Sequence, residues 1–291
     1  MMADAYLYDG DRTVRFHGGR SRPPDGRGVM IAKEGIEGWL STPPIKTELV
    51  ERAWGNGAHD VPADGISYSA RTVTIHIDLV GTLRSELQAL ARQVNSMSGR
   101  MLRLRVADEG EDTYVECYLR SEYGSDWSRQ LLSGTLTFVC PRPERLAWEA
   151  QTGQIVAPEA TPGGLSYGDG GRGLAYPLDY GVQSADQSRL LLRNAGTTCA
   201  YPVLTANGDW PDGLLFMWGK GGGLEWRGRV SPGVPLVLDC RSQTAMMGGV
   251  DVSRGLVRRG FPQIEPGGDI MLRLLSAGGG WVDVLTCDTY I

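Results

Sequence analysis

From Arg189 to Ile291 the chain alternates apolar and polar residues in short runs, most of them separated by turn signals. Strand-like segments fall at Leu190–Arg193, Pro202–Ala206, Leu214–Trp218, Leu224–Val230, Val234–Asp239, Ile270–Leu275 and Trp281–Cys287. Asn207-Gly208, Gly221–Gly223, Ser231-Pro232-Gly233, Gly248-Gly249, Pro266–Gly268 and Gly278–Gly280 supply the turns. Period-two alternation at this spacing predicts a two-sheet β-sandwich.

The first half has a different pattern. Ala5–Tyr8 and Thr13–Phe16 flank Asp9-Gly10-Asp11 as a hairpin, and strand-like runs follow at Val29–Lys33, Ile45–Ala53 and Val73–Val80. Gly55–Ser69 is polar and Gly-rich, which reads as a surface loop or arm. One helix is predicted from Leu83 to Ser98, because Leu83, Leu87, Leu90, Val94 and Met97 recur every three or four residues. Thr82 suits its N-cap and Gly99 its C-terminal stop. The apolar stripe is read as core. Strands resume at Met101–Val106, Thr113–Leu119 and Leu131–Cys140, with turns at Asp108–Asp112 and Tyr123–Asp126. Gln151–Gly173 is Gly/Pro-rich and reads as a linker. The fold class is therefore mainly β. An α+β N-terminal domain spans 1–150, a linker 151–185 and a β-sandwich domain 186–291.

Composition narrows the function. The 41 glycines among 291 residues suit many tight turns, and a net charge of −5 gives no basic footprint for binding nucleic acid. Arg258-Arg259 reads as solvated surface. Cys117, Cys140, Cys199, Cys240 and Cys287 lack CxxC spacing, so no zinc site or disulfide framework is expected, and each reads as a small buried hydrophobe in a reducing cytoplasm. No signal pattern and no membrane-length apolar run is visible.

Catalytic motifs fail on context. Gly164-Leu165-Ser166-Tyr167-Gly168 matches a hydrolase elbow, but His17, His59 and His76 all precede it and no helix pattern follows. Gly168-Asp169-Gly170-Gly171-Arg172-Gly173 matches a dinucleotide fingerprint, yet Pro177 breaks any following helix. His76 alternates with Thr74 and Asp78 on a sheet surface, and no carboxylate pair stands out. No enzyme, cofactor or metal is expected. Asn56, His59 and Asp60 in the long loop are candidate partner contacts. Trp210, Trp218 and Trp226 are candidate glycan-stacking residues, which keeps a sugar-binding adhesion module as the alternative function.

The layout resembles the distal tail proteins of long-tailed bacteriophages, the siphovirus-type tail component family. The resemblance rests on the helix Leu83–Ser98 followed by Arg100–Val106, and on Leu131–Cys140 ending in Pro141-Arg142-Pro143. It continues through Asn194-Ala195-Gly196, Pro202–Gly208, Val237-Leu238-Asp239, Phe261–Ile264 and Glu265–Ile270. It implies an N-terminal belt domain and a C-terminal galectin-like sandwich. It also implies a homohexameric ring at the distal end of the tail, joining the tail tube protein to the baseplate hub. Receptor-binding proteins and the tape-measure protein are further implied partners, and DNA would pass through the central channel without sequence-specific binding. The virion, assembled in the host cytoplasm, is the implied location, with no membrane partner. No histidine follows His76, so the histidine-containing galactoside signature of true galectins is missing.

Overall fold

The computed structural model describes residues 4–19, 23, 25–62, 66–125, 130–158, 187–219 and 221–291. They form two compact units, one of residues 1–149 with 289–291 and one of residues 150–288. Each has its own apolar core.

In the first unit β1 (Asp4–Asp9) and β2 (Arg12–His17) form a two-residue hairpin in which Asp9 pairs with Arg12. Gly10 turns it at φ +54°, where an L side chain is strained. β3 (Gly28–Glu37) runs parallel to β2 and antiparallel to β4 (Arg71–Val80). The helix α1 (Arg84–Asn95) leads to β5 (Leu102–Ala107), β6 (Asp112–Tyr123), β7 (Leu131–Cys140) and the short β8 (Arg145–Ala147). Strand order β6-β5-β1-β2-β3-β4-β7 closes on itself because β7 also pairs with the second half of β6. The result is a seven-stranded barrel with no open edge along that circuit. Strict alternation on β4 and β5 sends Val73, Ile75, Ile77, Leu79, Leu102, Leu104 and Val106 inward, against Leu7, Phe16 and Phe138.

The helix places Leu87 and Val94 in this core, with Leu90 half-buried against it; it ends at Asn95, short of the expected Ser98, and Met97 enters the core from the turn that follows. Leu83 departs from the sequence reading. It is the N-cap residue, lies before the first helical turn and is exposed. Thr82 does not cap with its hydroxyl. Instead Glu86 reaches back and accepts from the backbone N–H groups of Thr82 and Leu83 at 2.8 and 3.2 Å, and from the Thr82 hydroxyl at 2.9 Å. Those donors hold the Glu86 carboxyl below its usual range.

The second unit is a two-sheet antiparallel sandwich. One sheet runs β10 (Arg189–Arg193), β18 (Asp269–Leu274), β12 (Leu214–Trp218), β13 (Gly222–Trp226), β17 (Leu256–Arg259). The other runs β16 (Val250–Asp251), β15 (Thr244–Met247), β14 (Leu236–Asp239), β11 (Val203–Asp209), β19 (Gly279–Thr286), β9 (Gln151–Val156). Asn194 fastens the opening turn, donating from Nδ2 to the carbonyls of Thr198 and Ile264 at 2.7 and 3.0 Å.

Two boundaries differ from the sequence reading. Gln151–Val156, expected in the linker, is strand β9, paired along its length with β19, and Ile155 is fully buried. The chain end leaves the sandwich. β20 (Thr289–Tyr290) pairs with β8 in the first unit, where Thr289 is buried and the Arg145 guanidinium sits 5.9 Å from the Tyr290 ring centroid. The run Ile45–Ala53, expected as a strand, joins no sheet and forms isolated bridges only. Residues 159–186, which hold the rest of the expected linker with both glycine motifs and Ser166, lie outside the described residues.

Leu87→Asp places a carboxylate in the apolar core and should cost several kcal/mol, whereas Arg92→Asp on the exposed face should cost under about 1 kcal/mol. Equal melting temperatures for the two variants would contradict the helix placement. A fragment of residues 150–288 should unfold cooperatively, and one of residues 187–288, lacking β9, should be markedly less stable. Circular dichroism melts of the two fragments test this; indistinguishable curves would show that β9 is dispensable.

Candidate assembly surfaces

The feature without a fold-internal purpose is the segment between β3 and β4, residues 38–70. It leaves the barrel at Gly38, whose φ is +78° and whose missing Cβ would lie 2.3 Å from the Thr72 carbonyl oxygen. Only glycine fits there. Trp39 and Pro43 are buried, and the Arg145 guanidinium lies 5.7 Å from the Trp39 ring centroid.

Arg71 holds the departure point. It is the first residue of β4 and is 1% exposed. Its Nη1 donates to the carbonyls of Gly38, Trp39 and Ser41 at 2.7, 3.0 and 2.7 Å, and its Nε donates to that of Pro143 at 2.7 Å. Burial, then the neighbouring Arg145, lowers its pKa, and a guanidinium keeps its charge in proteins. Arg145 is buried too, donating to Glu111 at 2.7 Å and Thr113 at 3.3 Å.

Beyond this clamp the segment is a ribbon of two strands-in-outline. Ile45 bridges Tyr68, with Lys46 N–H donating to Ser67 and Ser69 N–H to Pro44. Further out Glu51 bridges Ala58, Arg52 N–H donates to Gly57 at 3.1 Å, and His59 N–H donates to Val50 at 2.8 Å. The candidate contacts Asn56, His59 and Asp60 are all exposed at or beside this tip, and Asp60 pairs with Arg52 at 3.2 Å. Sequence reasoning stressed these polar residues and missed the apolar ones. Leu40, Ile45, Leu49, Val50 and Ile66 are exposed, and Trp54 is 92% exposed. Monomeric proteins rarely leave so many large apolar side chains uncovered on one segment.

At the root of the arm, β3 bulges between Ile31 and Ile36, breaking its register with β4. The bulge opens a groove of about 790 Å³, lined by Ile31, Ile36, Trp39, Leu40 and Val106 with Lys33 and Glu111 at its polar side. A second surface on the barrel carries an aromatic and arginine ladder. Tyr8 stacks on Trp148 at 5.2 Å, Tyr114 meets Trp148 edge-on at 5.8 Å, and the Arg105 guanidinium lies 4.3 Å from the Trp148 centroid. Arg105 donates to both oxygens of Asp112, at 2.7 and 2.5 Å, which raises its pKa. The ladder was not legible in sequence because its members come from three separate strands, β1, β5 and β6, and the bend after β8.

The proposed glycan platform does not exist in the form expected. Trp210 is fully buried and donates to the Asn207 carbonyl at 2.9 Å, and Trp226 is buried and donates to the Val252 carbonyl at 3.2 Å. Trp218 packs partly against the same core. No group of three or more metal-ligating side chains gathers among the described residues, and no described helix is long and apolar enough to cross a membrane.

No family model matches the sequence, and no curated protein matches it. The fold does match solved structures along nearly its whole length. The Dit protein of phage SPP1, described as a paradigm of the hub adsorption apparatus in phages infecting Gram-positive hosts, aligns with a TM-score of 0.61 and 12% identity, covering 99% of each chain. The chain has the Dit fold. The phage P2 baseplate in its activated conformation with Ca contains a chain that aligns at a TM-score of 0.52 and 12% identity, covering 99% of this chain and 98% of that one. The same baseplate with Sr aligns at 0.51 and 11% identity, with 98% of each chain covered. Both units, and not one alone, share the Dit architecture.

Replacing Arg71 with methionine should leave four carbonyls of the arm root and the Pro143 turn without their donor and cost several kcal/mol. Arg71→Lys should recover little, since one ammonium cannot span the same fan of acceptors. Urea unfolding of the full chain measures both; wild-type midpoints would contradict the clamp.

Proposed function

We propose that this chain is the distal tail protein of a long-tailed phage, a structural ring component at the tail tip that acts through its surfaces and not by turnover. The observation that carries the reading is the alignment of both units, over 99% of each chain, with the Dit protein of SPP1. In this reading six copies form a ring through their barrel units, and the sandwich units project outward. The ring joins the tail tube protein to the baseplate hub and gives receptor-binding proteins an anchor. Its channel passes the tape-measure protein and then DNA, and the net charge of −5 gives no overall attraction for a polyanion in transit.

The uncovered arm supports this reading from the side of physical chemistry. Leu49, Val50 and Trp54 gain nothing by exposure, and a segment with its own backbone bridges is already shaped for a neighbour. Asn56, His59 and Asp60 would form the polar rim around that apolar contact. A head-to-tail contact of this kind closes into a ring when its rotation closes.

Light scattering of the purified chain, alone or with tail tubes, should give a species of about six times the 31.6 kDa chain mass. The double variant Leu49→Asp with Trp54→Asp should remain monomeric yet melt within a few degrees of wild type, because both side chains are exposed in the single chain. A wild-type chain that stays monomeric and fails to join tubes would contradict the ring. A double variant that still assembles would contradict the role of the arm alone.

A further inference from the structure

The barrel closes where β6 meets β7, and that seam carries two cysteines that the assembly reading leaves unused. The paired register begins with Tyr118 opposite Val139 and Leu119 opposite Phe138; continued one step it sets Cys117 opposite Cys140, and the two thiols are within hydrogen-bond reach of each other. Both are free thiols, and both side chains are wholly buried. Directly opposed residues of antiparallel strands have Cα atoms about 4.5–5.5 Å apart, inside the usual disulfide range of roughly 4.4–6.8 Å. The backbone is therefore already placed for a bond across the seam.

The surroundings differentiate the two sulfurs. On the other side of β7, Arg71 stands opposite Cys140 in the β4 ladder. The Arg71 Nη2 has no acceptor among the described residues, although its other nitrogens are engaged. The Cys140 thiol has only a long contact to the Phe138 carbonyl, 3.9 Å, as a backbone partner. A hydrogen bond from Cys117, and then the charge of Arg71, favour the thiolate at Cys140, while the same contact and burial keep Cys117 protonated. One sulfur is set up to attack and the other to follow.

We propose that Cys117 and Cys140 form a redox site, a dithiol that a small peroxide converts to a disulfide stapling β6 to β7. The Cys140 thiolate attacks one peroxide oxygen, breaking the O–O bond and giving a sulfenic acid at Cys140 with release of water after protonation. The Cys117 sulfur then attacks the Cys140 sulfur, its proton leaves with the hydroxyl as a second water, and the S–S bond forms. Two thiols are oxidised by two electrons, and one hydrogen peroxide is reduced to two waters. Hydrogen peroxide is small enough to reach a buried site through the local opening that folded proteins undergo. The bond would fix the barrel at its closing seam, beside the arginine that holds the arm.

The test uses the full chain carrying Cys199→Ser, which removes the half-exposed thiol and leaves four. After treatment with hydrogen peroxide and unfolding in denaturant, thiol titration should fall from four to two. Intact mass should drop by about 2 Da for the two hydrogens lost. A proteolytic digest should contain a peptide pair linked through Cys117 and Cys140, and dithiothreitol should separate it. The melting temperature should rise by several degrees on oxidation and return on reduction. In the further variant Cys117→Ser, dimedone should trap a sulfenic acid at Cys140, since the resolving thiol is gone. Retention of all four thiols, or a bond that maps to Cys240 or Cys287, overturns the proposal.

Discussion

A single buried guanidinium organises the barrel unit. Arg71 takes the carbonyls of Gly38, Trp39, Ser41 and Pro143 onto two of its nitrogens. These acceptors come from the root of the arm and from the turn after β7, segments far apart in sequence. A buried charge without acceptors costs several kcal/mol, so the guanidinium and the carbonyls depend on each other. Neither can be released alone. The consequence is an arm that leaves the barrel at a fixed place, although most of its length touches little else.

Rigidity at the root and exposure at the tip are complementary properties for assembly. An arm loose at its root would lose entropy on docking that a clamped arm has already lost during folding. Arg145 extends the same network, linking Glu111 and Thr113 to the faces of Trp39 and Tyr290. The last residues of the chain thus stabilise the barrel unit and not the sandwich that precedes them. The sandwich is held separately, by its interleaved apolar faces and by the buried indoles of Trp210 and Trp226.

Alternation made the ladder strands legible. β4, β7, β12 and β18 fall within a residue or two of the runs read from sequence, because burial on one face imposes a period of two. The same rule misread Ile45–Ala53. Alternation records that one face is apolar, and it does not say whether that face is covered by the same molecule. β9 was hidden for the opposite reason. Gln151-Thr152-Gly153-Gln154 is polar and glycine-containing, and only Ile155 is buried, so an edge strand looked like linker. The tryptophans of the sandwich could not be sorted into core and surface from spacing, since both uses share the same residue types. Arg71 gave no signal either: a strand-initial arginine reads as solvated until its acceptors are brought together by the fold.

The clamped arm is bare in the single chain, and the proposed ring would cover it. Hydrogen–deuterium exchange on the full chain, compared between dilute monomer and assembled ring, tests this most directly. Peptides spanning residues 45–60 should exchange quickly in the monomer and become strongly protected on assembly, while peptides from β4 and β7 are slow in both states. An arm already protected in the monomer, or a ring in which residues 45–60 still exchange freely, would contradict the account.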